Sequence, residues 1–358
     1  MILNISDHDF NKVVRSTRLH LPLRWDGKDF EKFLSRVFKI FISELEDKCS
    51  DKGYSYPHIP VELDEIILIC EYILNAVRAY HRGYPAYALE ILREAMELLI
   101  KHPLTAYQKK GWNKALEIKN LRLYRIRGVH ESVSYARKDI FHVPVSARSM
   151  IATCRYSIAG YPSLYLSTSL NLCLEEIGSG ARQHIASRFE TASSWKELNI
   201  RILELGIKPQ DFIREENEQD YYYQRIRYIR NLDLSDPDVR RVYLRWYPLI
   251  VACSFIRVNK SAPFASEYII PQLLMQWVRI QHIKGDLMGI RYFSCSSAKA
   301  SEMGFDYVFP VSDFDYDDHY CSVLRNAFIL TEPVFLEDYG SVDLCENRLN
   351  GMNGLDRI

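Results

Sequence analysis

Between Leu121 and Val311, four short segments carry residues whose types and spacing suit a charged, ring-bearing substrate. The first is Leu123-Tyr124-Arg125-Ile126-Arg127. On a strand, Arg125 and Arg127 point the same way, and two neighbouring guanidinium groups can grip a diphosphate through charge-assisted hydrogen bonds. A solvated strand face would show the same alternation. The second runs from Cys154-Arg155-Tyr156-Ser157 through Gly160 and Pro162 to Leu164-Tyr165-Leu166. It reads as a charged turn, a bend and a buried strand, in which Tyr156 or Tyr165 could stack on a flat ring or simply fill the core. The third is Glu175-Glu176, at the far end of a short helix that begins near Ser169 and is stopped by Gly178 and Gly180. A carboxylate beside a sugar C1 stabilises an oxocarbenium-like transition state, although an exposed helix pair is the plainer account. Adjacent helix residues point about 100° apart, so one of the two faces a cleft and the other does not. The fourth is Glu267-Tyr268-Ile269-Ile270-Pro271-Gln272, followed by Gly289-Ile290-Arg291-Tyr292-Phe293-Ser294-Cys295-Ser296-Ser297. Serine hydroxyls at a strand end can bind an amide or a phosphate.

In this order the segments resemble the RES-domain family, named for an Arg, a Glu and a Ser that recur in it. Its members typically show an LYR-x-R strand, then an R-[FY]-[NS]-x-x-G-x-P-x-LYL stretch and, shortly after, a glutamate. An EY-x-x-PQ segment and a G-x-x-Y-x-S strand follow much later. Here these read Leu123–Arg127, Arg155–Leu166, Glu176, Glu267–Gln272 and Gly289–Ser294. The resemblance implies an ADP-ribosyltransferase-like fold and NAD as the substrate, with no separate cofactor. Family members degrade NAD or transfer ADP-ribose to a protein, and many are toxins. Carried over by position, Arg125 is similar to the diphosphate or ribose anchor. Tyr165 or Tyr156 corresponds to the ring that holds nicotinamide, Glu176 to the glutamate that supports C1 bond breaking, and Ser294 to the late serine. Arg127 and Arg155 would line the same pocket. The implied reaction asks for no metal, because nicotinamide is already a good leaving group. Cys154, Ser157 and the pair Asn171-Leu172 depart from the common pattern. They leave the helix register, and so the choice between Glu175 and Glu176, open. An antitoxin or regulatory partner, or self-association, would fit a toxin of this kind.

The elements around these segments divide the chain. Phe30, Phe33, Leu34, Val37, Phe38, Phe41 and Leu45 recur at helical spacing, and further helices are expected near 61–80, 86–102 and 105–119. From Leu121 the pattern changes to short strand-like stretches at 121–127, 163–166, 249–258, 289–293, 307–311 and 327–336, with helices near 169–177, 219–230 and 268–280. The expectation is an α+β protein. An all-helical regulatory or oligomerisation domain would span 1–118, a mixed α/β catalytic domain 119–346, and a loose tail 347–358. His81-Arg82-Gly83-Tyr84 reads as a helix end or a contact patch.

Lys+Arg and Asp+Glu both number 46, so the chain carries no global electrostatic footprint for nucleic acid. The eight cysteines include no C-x-x-C pair, which removes the usual zinc and redox signatures. The opening MILNISDHDF lacks a signal pattern, and no apolar run reaches the roughly 18 residues that suggest a span. A reduced cytoplasmic protein without a membrane segment is expected. Asp313–Asp318 lacks the glycine and terminal glutamate of a calcium loop. Two rivals remain at this level. Arg15 and His20 fit the R-x4-H pattern of HEPN ribonucleases, and the mixed domain could be a binding module without activity.

Overall fold

The helical stripe that begins at Phe30 is buried as its period demands: Phe30, Leu34, Val37, Phe38, Phe41 and Leu45 are all buried. In the computed structural model, the structure describes residues 2–48, 58–101, 121–129, 133–177, 183–192, 202–213, 234–283, 288–313 and 319–358. The order of elements is β1 (Ile2–Ser6), α1 (Asp7–Arg15), α2 (Phe30–Lys48), β2 (His58–Glu62), α3 (Leu63–His81), α4 (Pro85–Lys101), β3 (Arg122–Val129), α5 (Arg137–Ile140), β4 (Ser163–Ser167), α6 (Leu170–Ile177), β5 (Gln183–Thr191), β6 (Ile202–Leu205), α7 (Pro237–Ala252), α8 (Ile269–Ile283), β7 (Gly289–Phe293), β8 (Phe305–Pro310), α9 (Ser322–Ala327), β9 (Phe328–Leu330), β10 (Val334–Phe335) and α10 (Val342–Gly351). The fold is α+β. The helices expected near 105–119 and 219–230 lie outside the described residues.

The chain forms two compact units. One comprises Met1–Ala115 with Ile207–Trp277, and the other Leu116–Gly206 with Val278–Ile358. The stretch 249–258 departs from its sequence expectation. It is not a strand: Leu249–Ala252 is the last turn of α7, and nearly every residue of α7 is buried. A helix buried on all sides loses its polar stripe, so its apolar run mimics a strand. In the first unit, Arg245 of α7 is 4% exposed. It pairs with Glu65 and donates to the Leu98 carbonyl at 3.2 Å. Tyr247 donates to the Leu19 carbonyl at 2.9 Å. This unit is not wholly helical either, since β1 and β2 form an antiparallel ribbon with Ile5 opposite Ile59. His81 is a structural tie there, its two ring nitrogens 2.9 Å from Glu31 and 3.2 Å from Ser266.

The second unit is built on an eight-stranded sheet with the order β10-β5-β3-β4-β8-β7-β6, β9 also pairing with β5. β6 runs parallel to β7; the other pairs are antiparallel. The sheet is continuous only in name between β3 and β4. β4 pairs with β8 from Ser163 to Ser167, whereas β3 meets β4 only at Tyr124 and Ser167. The two halves therefore splay apart beyond that single pair. On one face Tyr124, Ile126 and Ala186 pack with Leu170 and Cys173 of α6 and with Cys345 and Leu349 of α10. Residues 347–358 are thus not a loose tail.

Gly304 enters β8 at φ 133°, where a Cβ would run into the Thr168 hydroxyl. That hydroxyl accepts from Phe305 N at 3.0 Å, and Thr168 N donates to Phe305 O at 3.0 Å. Gly304→Ala is expected to cost about 3 kcal/mol through backbone strain and overpacking. Its denaturant midpoint compared with wild type checks this, and an unchanged midpoint would contradict it.

Candidate active site

Helix α6 carries Glu175 and Glu176 in its last turn, where the helix dipole disfavours anions. Each finds a different compensation. Glu175 accepts from Lys299 Nζ at 3.2 Å on the surface. Glu176 accepts from the Ser294 hydroxyl, just past the end of β7. Ser294 is fully buried while Glu176 is exposed, so the carboxylate is anchored from below and open above. Ser296 braces the serine, its N–H donating to Ser294 Oγ at 3.2 Å with the two hydroxyls 3.0 Å apart. The register question is answered by this geometry: Glu176 turns to the strand end and Glu175 away from it. Because exposed ion pairs are worth at most about 1 kcal/mol, Glu175→Gln should leave melting temperature and turnover close to wild type. Turnover falling as far as in a Glu176 variant would reverse the assignment.

Arg125 sits at the split between β3 and β4. Its Nη1 donates to the Tyr165 carbonyl at 2.8 Å, an oxygen that β3 leaves unclaimed. Burial, and secondly Arg127, push the guanidinium down to about 10, so it remains a cation at neutral pH. Its Nε is buried without a hydrogen-bond acceptor. Cys154, Cys173 and Tyr165 are within electrostatic reach of it, which places the Cys154–Ser157 turn and helix α6 beside the split. Arg127 shares the strand face but is drawn off to the Asp139 carbonyl at 2.6 Å. The two arginines therefore do not form one paired grip. Arg155 is buried within the turn that Ser157 closes by donating to the Cys154 carbonyl at 2.9 Å. Tyr156 is 1% exposed, its ring 4.6 Å from that of Tyr292 and tilted by 51°. Tyr165 is half-buried, so of the two candidate tyrosines it is the one with ring surface to offer.

Asp306 and Ser167 were missed in the sequence, and Tyr292 was singled out only as part of the Gly289–Ser294 strand. Tyr292, Asp306 and Ser167 lie on one face, because Tyr292 and Ser167 both pair in register with Asp306. Ser167 Oγ donates to Asp306 Oδ1 at 2.5 Å. Burial, then the charges of Asp306 and Glu176, raise the Tyr292 phenol well above its ordinary value. Burial, then Glu176, likewise raise the Asp306 carboxyl. A lone acid in the apolar run Phe305-Asp306-Tyr307-Val308-Phe309 was the signal that could have found it. The Glu267–Gln272 segment lies in the first unit, where Glu267 accepts from Val258 N at 3.1 Å.

A Bacillus subtilis (strain 168) protein named "Putative toxin YopC" is 26% identical to this chain over 334 residues, covering 89% of this chain and 68% of that protein. That coverage reaches into both units, since neither alone holds such a share of the chain. No protein-family model matches the chain, and no solved structure matches it.

The remaining candidates are placed as follows. Arg15 ends α1 and is exposed, while His20 lies beyond the helix with Nε2 3.2 Å from the Val14 carbonyl. The pair does not share a helix face as a ribonuclease pair would need. Asp313 accepts from Ser322 Oγ at 2.9 and 3.0 Å, and Phe314–Asp318 lie outside the described residues. The described cysteines are all free thiols. Among the described residues, no helix is long and apolar enough to cross a membrane.

Proposed function

We propose that this protein is a toxin-type enzyme that consumes NAD by cleaving its nicotinamide–ribose bond. The observation that carries the reading is the Glu176–Ser294 contact. It presents an open carboxylate at the end of the sheet, on the unit whose split strands hold the Arg125 cation. Similarity to a protein named as a toxin supports the biological class, and the RES-type order of Arg125, Glu176 and Ser294 supports the substrate.

In this reading Arg125 binds the diphosphate and Tyr165 lies against the nicotinamide ring, with Arg155 and Tyr156 shaping the pocket behind them. Glu176 stabilises the positive charge that develops on the ribose. The C1–N bond breaks with its electron pair going to the ring nitrogen, which leaves as neutral nicotinamide. Water, phosphate or a protein side chain then adds to C1 and loses its proton. With a protein acceptor the same first step becomes ADP-ribosyl transfer. A toxin of this type acts in the cytoplasm, where free thiols persist, and would be restrained by an antitoxin or by self-association.

The test is nicotinamide release from NAD by the purified full chain, with and without phosphate and with and without cell protein. Release is the expected result, and its dependence on the additions identifies the acceptor. No release under any of these conditions, with the protein folded, would overturn the reading.

A further inference from the structure

The reading above uses Glu176 as an anion but leaves unexplained a second carboxyl beside it. Asp306 is 3% exposed. Its Oδ1 is occupied by the Ser167 hydroxyl, while its Oδ2 is buried and receives no donor. The neighbouring charged group is the Glu176 carboxylate, which as an anion has no proton to give. An ionised carboxylate in that position would be desolvated, half-satisfied and next to a like charge, and each of these disfavours the charged form. The economical arrangement is a proton on Asp306 Oδ2, offered to Glu176, with the Ser294 hydroxyl holding Glu176 from another side.

We propose that Asp306 and Glu176 form a carboxylic acid–carboxylate pair in which Asp306 keeps the proton and positions Glu176 as the single negative charge of the site. Asp306 is a positioning residue, acting through Glu176. Its effect on turnover rests on the NAD reading, but the proton-sharing pair does not. The titratable groups facing Asp306 are Glu176 and Cys173 from α6 and Tyr292 from β7; Ser167 from β4 does not titrate. Burial holds the Cys173 thiol up to about 12, and Tyr292 is likewise held neutral. The folded value of the Asp306 carboxyl lies above its ordinary one, so its proton is lost as pH rises through that raised value. Two adjacent negative charges then repel, and Glu176 is displaced from its place over Ser294. Activity should fall on the alkaline side.

Two measurements on the full chain test this. With isotope-labelled aspartate carboxyl carbons, the Asp306 resonance, assigned by its absence from Asp306→Asn, should report a protonated acid at neutral pH. In Glu176→Gln, where the neighbouring charge is gone, its titration should move down toward the ordinary range. An Asp306 ionised at neutral pH in the wild type overturns the pair. In the pH–rate profile of nicotinamide release, Asp306→Asn, neutral at every pH and able to donate to Glu176, should keep kcat within about threefold and lose the alkaline fall. Asp306→Ala should lose about tenfold or more in kcat with little change in KM. An alkaline fall that persists unchanged in Asp306→Asn overturns the positioning role. If the wild type releases no nicotinamide at any pH, the NAD reading fails, while the carbon titration still decides the pair.

Discussion

Glu176→Gln is expected to slow nicotinamide release roughly a hundredfold, about 3 kcal/mol of lost transition-state stabilisation, in line with the removal of one electrostatic contributor. Gln keeps the side-chain length and an amide oxygen that can still accept from Ser294, so the fold and the anchoring contact should survive. What disappears is the negative charge facing the ribose. The loss should appear in kcat, with KM nearly unchanged, because the charge acts on a centre that becomes positive only in the transition state. Circular dichroism and the melting temperature should match wild type. Undiminished turnover in a folded Glu176→Gln protein would remove Glu176 from the mechanism. An equal loss in Glu175→Gln would instead indicate that the end of α6 is being disturbed as a whole.

Deleting residues 347–358 is expected to unfold the second unit. Arg188 is 3% exposed, and its guanidinium donates to the carbonyls of Asn350 at 2.7 Å and Met352 at 2.8 Å. Tyr124 donates to Asn350 Oδ1 at 2.7 Å, and Leu349 is fully buried in the cluster under α6. The strand β9 is also lengthened by a bridge in which Leu330 and Asp356 exchange hydrogen bonds of 2.9 and 3.1 Å. Arg188 keeps its ion pair with Glu190 but loses two carbonyl acceptors, at about 1.5–3 kcal/mol each, and losing a buried leucine side chain costs about 2–5 more. Together they match the roughly 5–15 kcal/mol that holds an ordinary domain. The truncated chain should lose a cooperative melting transition and become sensitive to protease within 116–206. Leu349→Ala, at about 3 kcal/mol, should weaken the same unit without abolishing it. A truncated chain that melts like wild type would refute this account.

Glu346, the residue before the tail, shows why helix α10 matters to the site. It accepts from Leu170 N at 2.8 Å and so caps the first turn of the helix whose last turn carries Glu176. Nothing local distinguishes Arg348-Leu349-Asn350 from a polar terminus. The partners that bury it are Tyr124 and Arg188, far away in the chain, and a reading by segment has no access to them.

Elements with a free face to show were legible. The periods of α2, α3 and α4 and the strands β3 and β4 follow from hydrophobic spacing, because one side of each meets a core and the pattern records which; β7 and β8, buried at every position, were legible as short apolar runs. Helix α7 was not legible, because burial on nearly every side erased the stripe that marks a helix. The candidate site divides in the same manner. Arg125, Glu176 and Ser294 could be picked out by type and order along the sequence, since each belongs to a local segment with its own recognisable form. That Glu176 and not Glu175 meets Ser294, that Arg127 is drawn away to Asp139, and that Asp306 stands beside Glu176 were decided by strand register and by the splay of β3 from β4. Two of these, Glu176 with Ser294 and Glu176 with Asp306, relate segments more than a hundred residues apart; the third joins Arg127 to a helix 12 residues on. Local spacing determines which face of an element a side chain takes, and only the pairing of distant strands determines what waits on that face.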